Sequence, residues 1–131
     1  MYVRIPVAVK AKVTEDTKLK IIADLEETIK QMQVELESFE FEAQKVIRQA
    51  SADLSKLPAL RQQIDMRRAQ MEEEKTAAEA KLERAKNLEL GSEIGHGTLE
   101  RTVEIKIGTD LDALMGAEIL TEDGKIIAFR E

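Results

Sequence analysis

The sequence predicts an α+β fold: a long antiparallel coiled-coil helical hairpin inserted in a small β sheet or barrel built from the N- and C-terminal strands. Three observations carry that expectation. Both ends of the chain alternate apolar and polar residues with the period of a strand, the middle repeats with the period of paired helices, and the middle is interrupted once. The divisions that follow are a β head from residues 1–13 and 89–131 and a hairpin over 14–88, turning near 51–58.

At the N-terminal end, Val3, Ile5, Val7, Val9, Ala11 and Val13 share one face, and Arg4, Pro6, Ala8, Lys10 and Lys12 share the other. Pro6 has no N–H for a ladder, so the strand is expected to have an edge or a bulge near its start. Thr14 reads as a helix N-cap, with Glu15 and Asp16 placing negative charge in the first turn. From there Ile22, Leu25, Ile29, Met32, Leu36, Phe39, Ala43, Val46 and Ala50 step by threes and fours, an unbroken heptad seam.

Ser51, Ser55 and Pro58 then interrupt the helix. Beyond them Leu60, Ile64, Met71, Ala78, Ala85 and Leu88 continue the seam, but Arg67, Glu74 and Lys81 fall on it too. In a straight parallel dimer these charges would face their own copies, which is costly. In a hairpin folded about Ser55, facing residue numbers add to 110. Leu25 then meets Ala85, Met32 meets Ala78, Phe39 meets Met71, and Val46 meets Ile64. The three charges would lie over Ala43, Leu36 and Ile29 with their heads in water. The chain is therefore expected to turn back, giving an arm of roughly 45–55 Å at 1.5 Å per residue.

The tail is β again. Leu90, Gly91 and Gly95–His96–Gly97 mark the exit from the helix, and Leu99, Val103, Ile105 and Ile107 alternate as a second half-buried strand. Thr109 or Asp110 caps a short helix that stops at Gly116. Two further strands, AEILT and KIIAFR, flank Glu122–Asp123–Gly124, a hairpin turn signal. Neither β part has enough surface to stand alone, so the two should share one sheet.

Composition narrows the function classes. Aromatic residues make up 3% and charged residues 35%, with no Trp, as expected of a chain dominated by long helices. Without cysteine there is no disulfide and no cysteine nucleophile or ligand, which fits a reducing cytoplasm. The segment MYVRIPVAVKAKV lacks the apolar run of a signal peptide, and no stretch approaches the roughly 18 apolar residues of a membrane span. The net charge of −6 opposes blanket binding to nucleic acid or anionic membrane.

The tail LELGSEIGHGTLERTVEIKIGTDLDALMGAEILTEDGKIIAFRE resembles the C-terminal region of the YlqD family of small bacterial proteins. Shared features are a glycine before the strand, the VEIKIG segment, the D-x-L-M short helix at Asp112–Met115, and the acidic-glycine hairpin. The order of strand, charged helical region and tail is similar over the whole chain. Because family members are at times encoded beside ribosome-maturation genes, the resemblance implies a ribosome-related context. It implies no catalytic or binding residue.

A search for chemistry finds no constellation. His96 is a lone histidine between glycines and, without cysteine, makes no zinc site. Glu72–Glu73–Glu74 point about 100° apart on a helix and cannot converge on one ion. Asp110 and Asp112 are accounted for by helix capping, and Gly91, Gly95 and Gly97 lack phosphate-loop spacing. No nucleophile, base and oxyanion donor come together. The expectation is a non-enzyme without cofactor, metal or small-molecule substrate.

Two features suggest partners. Between Gln44 and Arg68 the bases Lys45, Arg48, Lys56, Arg61, Arg67 and Arg68 meet only Asp53 and Asp65, so this segment carries +4 and the remainder −10. Such a tip would suit phosphate contact with RNA or an acidic protein; equally, it is a solvated face on which charge is unevenly spread. No aromatic residue lies there to stack on bases. Phe41 lies off the seam, where it either docks a partner helix or second copy, or widens the seam. The leading reading is an interaction or scaffold protein, dimeric, with an RNA- or ribosome-associated factor as the alternative.

Overall fold

The strict alternation of the N-terminal segment forms strand β1, Tyr2–Lys12, and buries Ile5, Val7 and Ala11, with Val13 the most buried apolar side chain. The structure, a computed structural model, describes all 131 residues. The remaining elements are helix α1 (Glu15–Ala50), helix α2 (Leu57–Lys86), strand β2 (Glu93–Glu104), helix α3 (Leu111–Met115), and strands β3 (Glu118–Glu122) and β4 (Lys125–Arg130). Contacts divide the chain into two units, residues 1–19 with 88–131, and residues 20–87.

The first unit is built on a four-stranded mixed sheet in the order β2-β1-β3-β4. β1 pairs antiparallel with β2 and parallel with β3, and β3 pairs antiparallel with β4. The two β parts of the chain do share a sheet. It is open, however, with β2 and β4 at its edges, so the barrel alternative is corrected. Only residues 8–12 of β1 pair with β3, so Pro6 sits where β1 has a neighbour on one side alone. That is the edge its missing N–H requires. The bulge lies further along, at Val9/Lys10.

The same bulge relocates His96. Val9 faces Gly97 and Lys10 faces Gly95, which leaves His96 as the extra residue of β2 instead of a loop residue before it. Gly97 adopts φ +118°, which a side chain would resist. β2 also ends earlier than expected, at Glu104. Gly108 at φ +97° and the Thr109 N–H bond to the Lys106 carbonyl (3.0 Å) turn the chain, and Ile107 is left fully exposed. Alternation alone could not mark that stop.

Local capping follows the sequence. The Thr17 N–H donates to Thr14 Oγ1 at 3.2 Å, capping α1, and the Ala113 N–H donates to Asp110 Oδ1 at 3.2 Å, capping α3. Asp123 (φ +50°) and Gly124 (φ +81°) form a two-residue turn with both φ values positive, the I′ type that suits a tight hairpin. Thr14 has a second role: its hydroxyl donates to Asp123 Oδ1 at 2.6 Å, joining the start of α1 to the β3–β4 turn.

The second unit is a helical hairpin. Arg68 on α2 donates two hydrogen bonds to the Glu40 carboxylate on α1, and Lys75 Nζ donates to Gln33 Oε1. Both pairs have numbers adding to 108, a shift from the expected 110. The phase of α2 is also corrected. Its buried and half-buried row is Ile64, Arg68, Met71, Lys75, Ala78, Leu82 and Ala85, while Arg67, Glu74 and Lys81 are exposed. Between the apolar positions spaced by seven, the inward step is therefore four, then three. Leu82 gains cover in that phase, and Arg67, Glu74 and Lys81 keep their hydration. On α1 the row agrees with the heptads up to Ala43; Ile47 then replaces Val46, which is exposed. The connection covers 51–56, where the Asp53 carboxylate accepts from the Ser55 N–H at 3.1 Å and from its hydroxyl at 2.6 Å.

Candidate functional site

The candidate residues of the hairpin are best described from their helical phase outward. Phe41 follows the half-buried pair Phe39 and Glu40 on α1 and is 65% exposed. It stands off the buried row, and Lys45, one turn on, places Nζ 5.8 Å from the ring centroid. That cation–π contact at an exposed site is worth about 0.5–1 kcal/mol and leaves the ring open to water. Val34, seven residues earlier and so in the same phase, is 58% exposed. Sequence reading missed Val34, although its spacing from Phe41 was available. Beside Phe41, a groove of about 900 Å³ runs between the helices over Leu36, Gln44, Arg68, Glu72 and Thr76.

The six basic residues separate into two groups. Arg68 is held by Glu40 and, at 2.8 Å, by Asp65. The guanidinium holds the Glu40 carboxyl below its usual pKa, and the same contact raises that of Arg68. Lys56 has Asp53 at 3.9 Å. Lys45, Arg48, Arg61 and Arg67 make no ion pair; Arg67 instead donates to Gln70 Oε1 at 3.0 Å. The +4 of the segment is thus concentrated on four cations whose charge no carboxylate neutralises locally.

Elsewhere ion pairs join the strands of the first unit. Arg130 binds Glu93 through both terminal nitrogens and lies 3.6 Å from Glu118, which also pairs with Lys10 at 3.1 Å. Arg130 is the main cause of a lowered Glu93 pKa. Arg101 reaches Glu131 at 3.2 Å and the Leu114 carbonyl at 3.5 Å, and its Nε is buried without a partner. No three His, Asp or Glu side chains converge to hold a metal ion, and Glu72, Glu73 and Glu74 are all exposed. No helix is long and apolar enough to cross a membrane.

Comparison with known proteins agrees with this geometry. Over its full length the chain superposes on the crystal structure of a protein of unknown function from Synechococcus sp. WH 8102, covering 95% of that chain with a TM-score of 0.88 at 25% sequence identity. No curated protein matches. The family model described as YlqD protein matches residues 1–130. The chain belongs to the YlqD family.

Proposed function

We propose that the protein is a non-catalytic interaction protein whose helical hairpin packs as an antiparallel coiled coil and docks a protein partner along the outer face of α1. The observation that carries this reading is the pair Val34 and Phe41, both more than half exposed and one heptad apart. Two large apolar side chains in one phase of a charged helix form the anchor spacing of helix-on-helix recognition. The adjoining groove offers polar contacts at its rim, the arrangement of an interface with an apolar centre. The test is a photo-crosslinking residue at position 41, with a second at Glu73 as control, in cells producing the protein. A specific heavier product at 41, lost on Val34→Ser, supports the reading. Equal labelling at both positions removes it.

A second reading has its own observation. Lys45, Arg48, Arg61 and Arg67 are free of carboxylates, which favours contact with the phosphates of RNA. Four such contacts give a shallow salt dependence, about −0.7 in log–log slope per contact for a single strand. Titration of structured RNA at low salt compares the wild type with Arg48→Glu/Arg61→Glu/Arg67→Glu. Binding lost in the variant, with that slope, supports the RNA reading; equal or absent binding in both excludes it.

A further inference from the structure

One charged side chain stands on the apolar face of the sheet. Ile5, Val7 and Val9 of β1 share that face, and their partners on β2 are Arg101, Leu99 and Gly97. Across the sheet Val9 pairs with Ile119 of β3, and Ile119 with Phe129 of β4. Side chains alternate between faces along each strand, so the neighbours of Arg101 on its own face of β2 are Leu99 and Val103. A charge at such a position breaks the apolar pattern around it, and breaks of this kind concentrate at functional sites.

Arg101 borders a cavity of about 260 Å³, lined by the buried Val7 and Ala117 and by Leu99, Ile119 and Phe129. Leu99 is 55% and Phe129 73% exposed, so both offer apolar surface to an occupant. Glu131 lines the cavity too, and its carboxylate accepts from Arg101 Nη1 at 3.2 Å. The other bond of the guanidinium, from Nη2 to the Leu114 carbonyl, is long at 3.5 Å. These two bonds leave most of its N–H donors unused. Apolar walls with one well-placed polar group are the usual make-up of a small-molecule pocket, and a carboxylate is the acceptor that matches a guanidinium. We propose that this cavity binds a small amphipathic carboxylate, its apolar chain over Val7 and Ala117 between Leu99 and Phe129 and its carboxylate on Arg101. The side chain of Glu131 holds that place in the free protein and is displaced by the ligand. A free fatty acid and the C-terminus of an apolar peptide share this chemistry. The site uses residues of the first unit only, so it does not depend on the hairpin reading.

Two probes test the site by NMR titration of the isotope-labelled full chain: octanoate, and a short leucine-rich peptide with a free C-terminal carboxylate. Either should shift the amides of Leu99, Ile119 and Phe129 saturably. Each should bind about tenfold or more tightly than its uncharged counterpart, octanol or the peptide amide, the factor expected of a charge-assisted hydrogen bond. Arg101→Leu, checked for folding by circular dichroism, should lose that preference and still bind the uncharged counterparts. Glu131→Gln should bind the carboxylates several-fold more tightly, because the competing side-chain carboxylate is gone; a merely structural Arg101–Glu131 pair gives no such gain. The tighter of the two probes identifies the source, free acid or peptide terminus. The proposal is overturned if neither probe gives saturable shifts at these residues up to millimolar concentration, or if charged and uncharged forms bind equally. A preference that survives Arg101→Leu, or no gain in Glu131→Gln, overturns it as well.

Discussion

Single side chains set the boundaries of this fold, and Thr14 is the most consequential. Its hydroxyl oxygen accepts from the Thr17 N–H, and its hydroxyl donates to Asp123 in the β3–β4 turn. Thr14→Ala removes both interactions and should destabilise the protein by about 1–2 kcal/mol, read as a lowered urea midpoint, whereas Thr14→Ser should restore most of the loss. The cap was legible because a Thr before two acidic residues has a local meaning. The bond to Asp123 was not, because it joins residues more than a hundred positions apart. The Arg68–Glu40 pair is a second residue-scale contact that sequence reading missed. Since the folded pKa of Glu40 lies below its ordinary value, its contribution is present above the usual carboxylate range. It is lost as the pH falls through the folded pKa. Melting temperatures of wild type and Glu40→Gln should therefore differ at neutral pH and converge as the pH falls below the usual carboxylate range.

At the scale of elements, periodicity predicted which segments are helix and strand, and local context determined where they stop. The seam of α1 was readable because its apolar residues are large and regularly spaced. The seam of α2 was not, because Arg68 and Lys75 occupy half-buried positions on it. Only the facing helix, with Glu40 and Gln33 at those levels, makes these positions suitable for cations. The register difference can be measured. Leu36→Cys/Met71→Cys, close to the observed register, should cross-link within the chain faster than Phe39→Cys/Met71→Cys, the pair of the 110 register. Non-reducing gels under dilute mild oxidation distinguish them, and the reverse order would restore the original register. In the turn between β3 and β4, Gly124 at φ +81° can be replaced only with strain. Gly124→Ala should cost about 1 kcal/mol or more, seen as a lowered melting temperature.

For the whole molecule, the sheet order makes β1 the strand on which the first unit depends. Residues 8–12 of β1 pair with both β2 and β3, so their amides should exchange most slowly within that unit, while those of 51–56 should exchange among the fastest in the chain. Hydrogen-exchange mass spectrometry reads both, and fast exchange across 8–12 would contradict the central placement. By itself the sequence determined the α+β class, the alternating strand at each end, the helical hairpin between them, the Thr14 cap of α1, the cap of α3 and the glycine turn between β3 and β4. Each of these depends on residues near one another in the chain, where periodicity and side-chain stereochemistry act directly. Tertiary structure alone decided that the sheet stays open, that β3 enters beside β1 in parallel, and that α2 turns two charged stems inward. Those outcomes depend on which distant group supplies the neighbour, a carboxylate for Arg68 or a backbone ladder for β1, and no local pattern encodes that choice.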